Sequence, residues 1–155
     1  MPAKALKEFL DQHKIHYQVI QHARAYTAQE TAALAHVPGK DLAKTVMARI
    51  DGRMAMLVLP AQYRVDFDVL RNLIGVEEIE LATEKEFRTL FPDCEPGAMP
   101  PFGNLYEMDV YVAEQLTRDE EISFNAGTHT ELVRMAYSDF EHLVRPRVVA
   151  LFARV

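Results

Sequence analysis

Two apolar runs, "LAKTVMARI" (Leu42–Ile50) and "RMAMLVLP" (Arg53–Pro60), are separated only by Asp51 and Gly52. An Asp-Gly link between strand-like runs predicts a β-hairpin with a type I′ turn, because both turn positions need positive φ. The hairpin puts an antiparallel pair mid-chain, and everything else must pack around it. "TAQE" from Thr27, "TEKE" from Thr83 and "SDFE" from Ser138 read as capping boxes, each opening a helix. The first of these helices is expected to run to about His36 and stop at Pro38-Gly39, and the second to about Phe91. Two further helices are expected. One covers residues 4–13, with Leu6, Phe9 and Leu10 on one face; the other starts at Asp66 and buries Val69, Leu70 and Leu73. Strands are expected over His16–His22 and Asn104–Ala113, with a second hairpin around Ala126-Gly127. The tail after Pro146 fits helix and strand equally. Hairpin pairings outnumber βαβ units, so the expected fold is α+β: a mixed, largely antiparallel, barrel-like sheet flanked by helices, in one domain over 1–155.

With 155 residues the chain is long enough for one good core, and 49% of it is apolar. The longest apolar run is too short to cross a membrane, and the first residues lack an apolar signal core. One cysteine, Cys94, allows no internal disulfide, so a cytoplasmic protein is expected. A net charge of −6 argues against nonspecific binding to a polyanion, so DNA is not an expected partner. Phosphate contacts, if made, fall to Lys40, Arg64, Arg145 or Arg147. His13, His16 and His22 cluster in sequence, but neither helix nor strand spacing brings all three to one metal. No nucleophile elbow, P-loop or dinucleotide fingerprint is present. Neither a metal nor a cofactor is expected. Cys94 stands between Asp93 and Glu95, which gives no reason for a lowered pKa, and "RDEE" (Arg118–Glu121) reads as a solvated turn.

Two features point to chemistry. Alternation along Leu42–Ile50 puts Lys44 on the apolar face with Val46, Ala48 and Ile50, while Thr45, Met47 and Arg49 take the other. Either the lysine stem snorkels along apolar surface, or the cation is held in a pocket to polarise an oxygen. The second feature is "EPGAMPPFGN" (Glu95–Asn104), with three of the eight prolines and two of the six glycines. It is stiff, and Gly97 lets a ligand approach the backbone closely. It is equally readable as a tight connection between a helix and a strand.

Taken together, a strand ending in His22, the Thr27-capped helix, "LAKTV" with Lys44, "GAMPP" (Gly97–Pro101) as a G-x-x-x-P loop and the late "GTH" (Gly127–His129) resemble the YbaK/EbsC-like family. That family comprises trans-acting aminoacyl-tRNA deacylases and the editing insertion of bacterial prolyl-tRNA synthetases. The resemblance implies a six- or seven-stranded barrel-like sheet, and hydrolysis of the ester joining a mischarged amino acid to the 3′ end of a tRNA. It implies Lys44 as the family lysine and the Gly97–Ala98 backbone as the oxyanion-binding segment, with a positioned water aided by the terminal ribose hydroxyl. Gly127 belongs to the late turn. His129 and Thr45 are candidates for orienting water or the substrate amine. Ile20, His22, Met99, Pro101 and Phe102 are expected to wall a small amino-acid pocket. The expected partners are mischarged tRNA (tRNA-Pro by the resemblance) and an aminoacyl-tRNA synthetase. A non-catalytic tRNA- or synthetase-binding module of the same fold, or a small-molecule binder, is the other reading.

Overall fold

The computed structural model describes residues 3–150 and the backbone of 152–154. At the central turn Asp51 has φ 48° and Gly52 φ 81°, the pair of left-handed conformations expected there. The turn joins β2 (Leu42–Ile50) to β3 (Arg53–Pro60), with Ile50 opposite Arg53 and Ala43 opposite Pro60. Asp51 also accepts the N–H groups of Glu77 and Glu78 at 3.1 and 2.8 Å. That contact steers β5 (Ile79–Leu81) onto the end of β2.

β2 is the hub of the sheet. On one side β7 (Glu121–Asn125) runs parallel to it, then β8 (Glu131–Ala136) and β1 (Tyr17–Gln21) follow in antiparallel pairings. On the other side β3 is followed by β6 (Asp109–Ala113) and β9 (Arg147–Val149), both parallel to their neighbours. The order is β1-β8-β7-β2-β3-β6-β9, with β5 also on β2. β4 (Tyr63–Val65) and β10 (Phe152–Arg154) form a separate antiparallel pair. The undecided tail thus contributes strand at 147–149 and 152–154.

The fold is α+β and its sheet is mixed and mostly antiparallel, but the sheet holds eight strands and does not close; β1 and β9 remain its ends. Helices cover its faces, so the sheet need not curl onto itself. One face buries Met47, Met56, Val112, Phe124 and Met135 against α1 (Lys4–Gln12), α4 (Glu84–Phe87) and α5 (Tyr137–Val144). The opposite face meets α2 (Ala28–Leu34) through Leu42, Ala61 and Leu132, and α3 (Phe67–Ile74) through Ala48, Leu57 and Tyr111.

Local expectations fail where distant partners intervene. On α3 only Leu70 is buried; Val69 and Leu73 lie a turn apart on a stripe facing solvent, 43% and 55% exposed. The expected strand from Asn104 begins at Asp109, because Gly103–Tyr106 is a 3₁₀ turn closed by Met108 N–H on Gly103 O at 2.9 Å. Ser138 caps nothing: β8 runs directly into α5, whose first N–H, from Tyr137, is taken by Glu120 O at 3.0 Å. α2 ends at Leu34, two residues short of His36, and α4 ends at Phe87, continuing as a 3₁₀ turn to Leu90.

Candidate active site

The Thr27 hydroxyl accepts the Glu30 N–H at 3.1 Å and so starts α2. Glu30 reaches back one residue further than expected, to the Tyr26 N–H, also at 3.1 Å. The chain between β1 and this cap runs beside the turn after β7. His22 N–H donates to Thr130 O at 2.9 Å and Ala25 N–H to His129 O at 3.2 Å. The G-x-x-x-P loop is laced to the same turn. Glu95 N–H donates to Gly127 O at 2.7 Å, Gly127 N–H to Ala98 O at 2.8 Å, and His129 Nε2–H to Pro96 O at 2.7 Å. Both glycines hold left-handed φ, +83° at Gly97 and +106° at Gly127. A Cβ on Gly127 would lie 2.9 Å from that of Ala3, so close packing as well as φ excludes a side chain there.

Lys44 projects from β2 on the α2 face. It lines a cavity of about 160 Å³ with Thr27, Ala28, Gln29 and Ala61. Its Nζ donates to Ala61 O at 3.4 Å, and burial pulls its pKa below the ordinary lysine value. Among the described residues no carboxylate pairs with it. The cavity and the laced turns meet through Tyr26, which precedes Thr27 and whose ring lies 5.0 Å from that of His129.

Residues 22–143 match the aminoacyl-tRNA editing domain family. The chain belongs to that family. The editing domain is 29% identical over 86 residues to proline–tRNA ligase of Staphylococcus epidermidis, which covers 56% of the chain but only 14% of the ligase. It is 25% identical over 142 residues to the prolyl-tRNA editing protein ProX of Acetoanaerobium sticklandii, covering 88% of the chain and 86% of ProX. A crystal structure described as a proposed trans-editing enzyme for prolyl tRNA synthetase superposes with a TM-score of 0.84, at 22% identity, over 97% of this chain and 96% of that one. The fold is thus the YbaK-like one. Among the described residues no helix is long and apolar enough to cross a membrane.

Several of the anticipated site residues lie elsewhere. Ala98 is fully buried and its N–H is engaged by Glu95 O at 3.0 Å. The Gly97 N–H has no acceptor among the described residues, so the turn offers one free donor rather than two. Met99 and Phe102 belong to the main core, not to a pocket wall; the Phe102 ring packs against Phe9, Phe124 and Phe140 at 6.1, 5.5 and 5.5 Å. Pro101 is buried beside them. Thr45 points to the face opposite Lys44, toward the core that holds Ala43 and Met47. Ile20 packs under α2 with Leu42, Ala61 and Leu132, beneath the Lys44 cavity. His22 donates through Nδ1 to Ala23 O at 2.7 Å, and its buried Nε2 has no partner among the described residues.

Other residues went unremarked in the sequence. Arg24 forms a two-armed ion pair with Glu95, at 2.7 and 3.4 Å, which ties the His22–Tyr26 segment to the Gly97 loop. That hydrogen bond holds the Glu95 carboxyl below the usual carboxylate range. Asn125, at the end of β7, has a buried Oδ1 with no donor among the described residues. The Arg24–Glu95 pair joins residues 71 positions apart, so no local pattern marks it. Cys94 is a protonated thiol, pushed up to about 12 by burial and then by Asp93.

A larger hollow, about 300 Å³, is lined by Lys40, Asp41, Glu120, Glu121, Ser123 and Arg134. Its lysine is answered: Lys40 meets Asp41 at 2.8 Å and Asp119 at 3.9 Å. The Asp119 side chain is 9% exposed, so this part of the acidic run is not solvated as expected. Burial, then the neighbouring Asp41 carboxylate, raises its pKa to about 6.

Proposed function

We propose that this editing domain, working as a single unit in the cytoplasm, hydrolyses the ester between a small, wrongly attached amino acid and the 3′ end of a tRNA. The carrying observation is Lys44: a half-buried cation with no counter-ion among the described residues, in a cavity whose Thr27 wall adjoins Tyr26, the residue packed on the His129 ring that holds the Gly97 turn. Leaving a charge unpaired costs stability, and the site recovers that cost only when a ligand oxygen arrives. Lys44 draws the ester toward the cavity, and the Gly97 N–H stabilises the negative charge that builds on the carbonyl oxygen. A fixed backbone donor does this without reorganising during the reaction. His129 uses Nε2 to hold the Pro96 carbonyl, so its role is to keep the Gly97 turn in place. The attacking water is oriented by the substrate's own ribose hydroxyl.

A cavity of about 160 Å³ lies below the usual range for a whole ligand, roughly 300 Å³ and upward. It therefore takes the aminoacyl group and leaves the nucleotide outside. Small side chains enter; large ones overlap the walls. The names of the relatives favour tRNA-Pro as the carrier and prolyl-tRNA synthetase as the partner. Cleavage of matched esters on one tRNA provides the test. Alanyl and seryl esters are expected to fall within roughly a hundredfold of each other, with the leucyl ester left intact. Faster loss of the leucyl ester, or no loss of any ester, overturns the proposal.

A further inference from the structure

Tyr26 is 69% exposed, the most open of the exposed large hydrophobic side chains among the described residues. Its backbone is fixed, since its N–H is bonded to Glu30 Oε1. Its ring centroid lies 5.0 Å from that of His129, the two planes tilted by 49°, and the Arg24 guanidinium lies over the ring, 6.0 Å from its centroid. These two contacts account for an aromatic residue but leave most of its surface open to solvent. The ring stands where the Lys44 cavity and the Gly97 turn meet: Thr27 lines the cavity, and His129 holds the turn.

We propose that Tyr26 is the stacking platform for the terminal adenine base of the tRNA. The inference rests on the proposed function and deepens it. The ester and the base hang from one ribose, so an acyl group in the cavity puts the base on the cavity rim. Every base has a π-face, and aromatic stacking gives a protein hold on a single-stranded end without extensive phosphate contact. This suits a chain of net charge −6 whose candidate phosphate contacts are partly engaged. Lys40 is paired with two carboxylates, and Arg147 lies 5.5 Å over the Tyr111 ring. Arg24, braced by Glu95, flanks the platform and limits how far the base can slide.

Two measurements test this. In steady-state cleavage of alanyl-tRNA, Tyr26→Ala should raise KM by about tenfold to a hundredfold, the effect of losing one base stack, with kcat within about threefold. Tyr26→Phe should recover most of the lost affinity and Tyr26→Leu little of it. Tyr26→Trp introduces the sole tryptophan of the chain. Its fluorescence should be quenched saturably by 3′-alanylamino-3′-deoxyadenosine, a stable amide analogue of the ester, and not by the same compound lacking the base. An unchanged KM in Tyr26→Ala, or a fall in kcat alone, overturns the platform; the second result would mean that Tyr26 acts through His129. Failure of the wild-type protein to cleave any ester sinks the proposed hydrolysis, while the tryptophan signal still reports whether a base stacks.

Discussion

Two hollows on the α2 face of β2, on either side of Leu42, treat charge in opposite ways. Around Lys40, one cation and two carboxylates sit within ion-pair distance, and the strain that remains falls on Asp119. Around Lys44 there is a cation, a carbonyl and no carboxylate among the described residues. The paired hollow is the larger one, so size alone points to the wrong place. What marks a site is a charge that folding leaves unanswered.

The contrast breaks most sharply at Lys44. Lys44→Ala is expected to lower kcat/KM for the alanyl ester by about a hundredfold or more. Lys44→Met should be as inactive yet melt no lower than the wild type, because it removes a cation that burial disfavours. Calorimetry beside the cleavage assay checks both, and a melting temperature well below wild type would show that Lys44 has a structural partner. The wild-type pH profile gives a second handle. The charged form is the active one, and the pKa of Lys44 in the fold lies below the ordinary 10.5. Activity, corrected for spontaneous hydrolysis, should therefore fall as pH rises through that lowered value. A rate that keeps climbing past pH 10.5 would sink the cation's role.

Next in size is Gly97→Ala. A Cβ there sits 3.4 Å from His129 Cε1, at φ +83°. The left-handed backbone disfavours it by about 1–2 kcal/mol, and the N–H is re-aimed. About a tenfold loss of kcat is expected, with melting lowered by a few degrees. Full activity would remove Gly97 from the reaction.

The paired hollow should respond in stability and not in rate. The folded-state pKa of Asp119 is raised, so its charged form destabilises the fold at pH values above the unfolded value. Asp119→Asn should then raise the melting temperature at pH 7 by a few degrees, and the gain should shrink as pH falls below the folded value of about 6 and vanish only about one unit below the unfolded 3.8, where both forms bind the proton. Thermal melts at both ends of that range decide. The smallest effect is that of Lys40→Ala, which leaves Asp41 and Asp119 facing each other and should lower melting slightly while cleavage is unchanged.

Legibility followed the range of the interaction. The Asp51-Gly52 turn, the Thr27 and Asp66 caps and the placement of Lys44 on an apolar face depend on residues a few positions apart, and the sequence displays them. Ser138 misled because the main-chain oxygen of Glu120 does the work assigned to its hydroxyl. Met99 and Phe102 misled because hydrophobic residues in a Pro/Gly loop suit a pocket wall and a core equally, and only the rings of Phe9, Phe124 and Phe140 decide. Thr45 was placed on the correct face by alternation, but nothing in the sequence says that this face is the core. Arg24 and Glu95 are 71 positions apart, and Tyr26 is distinguished only by being left in solvent.

The parallel pairing of β2 with β7 also sets a timetable. A chain synthesised only as far as Ala113 already holds the β2–β3 hairpin, β6 and both helices of the α2 face. It lacks Gly127, His129 and Thr130, so the N–H groups of His22, Ala25 and Glu95 have no acceptors and the Gly97 turn has nothing to lie against. Contacts this distant in sequence form late and together. On the proposed function, a protein that cleaves aminoacyl esters is thus inert while it is still being made, surrounded by the charged tRNAs that supply its own synthesis.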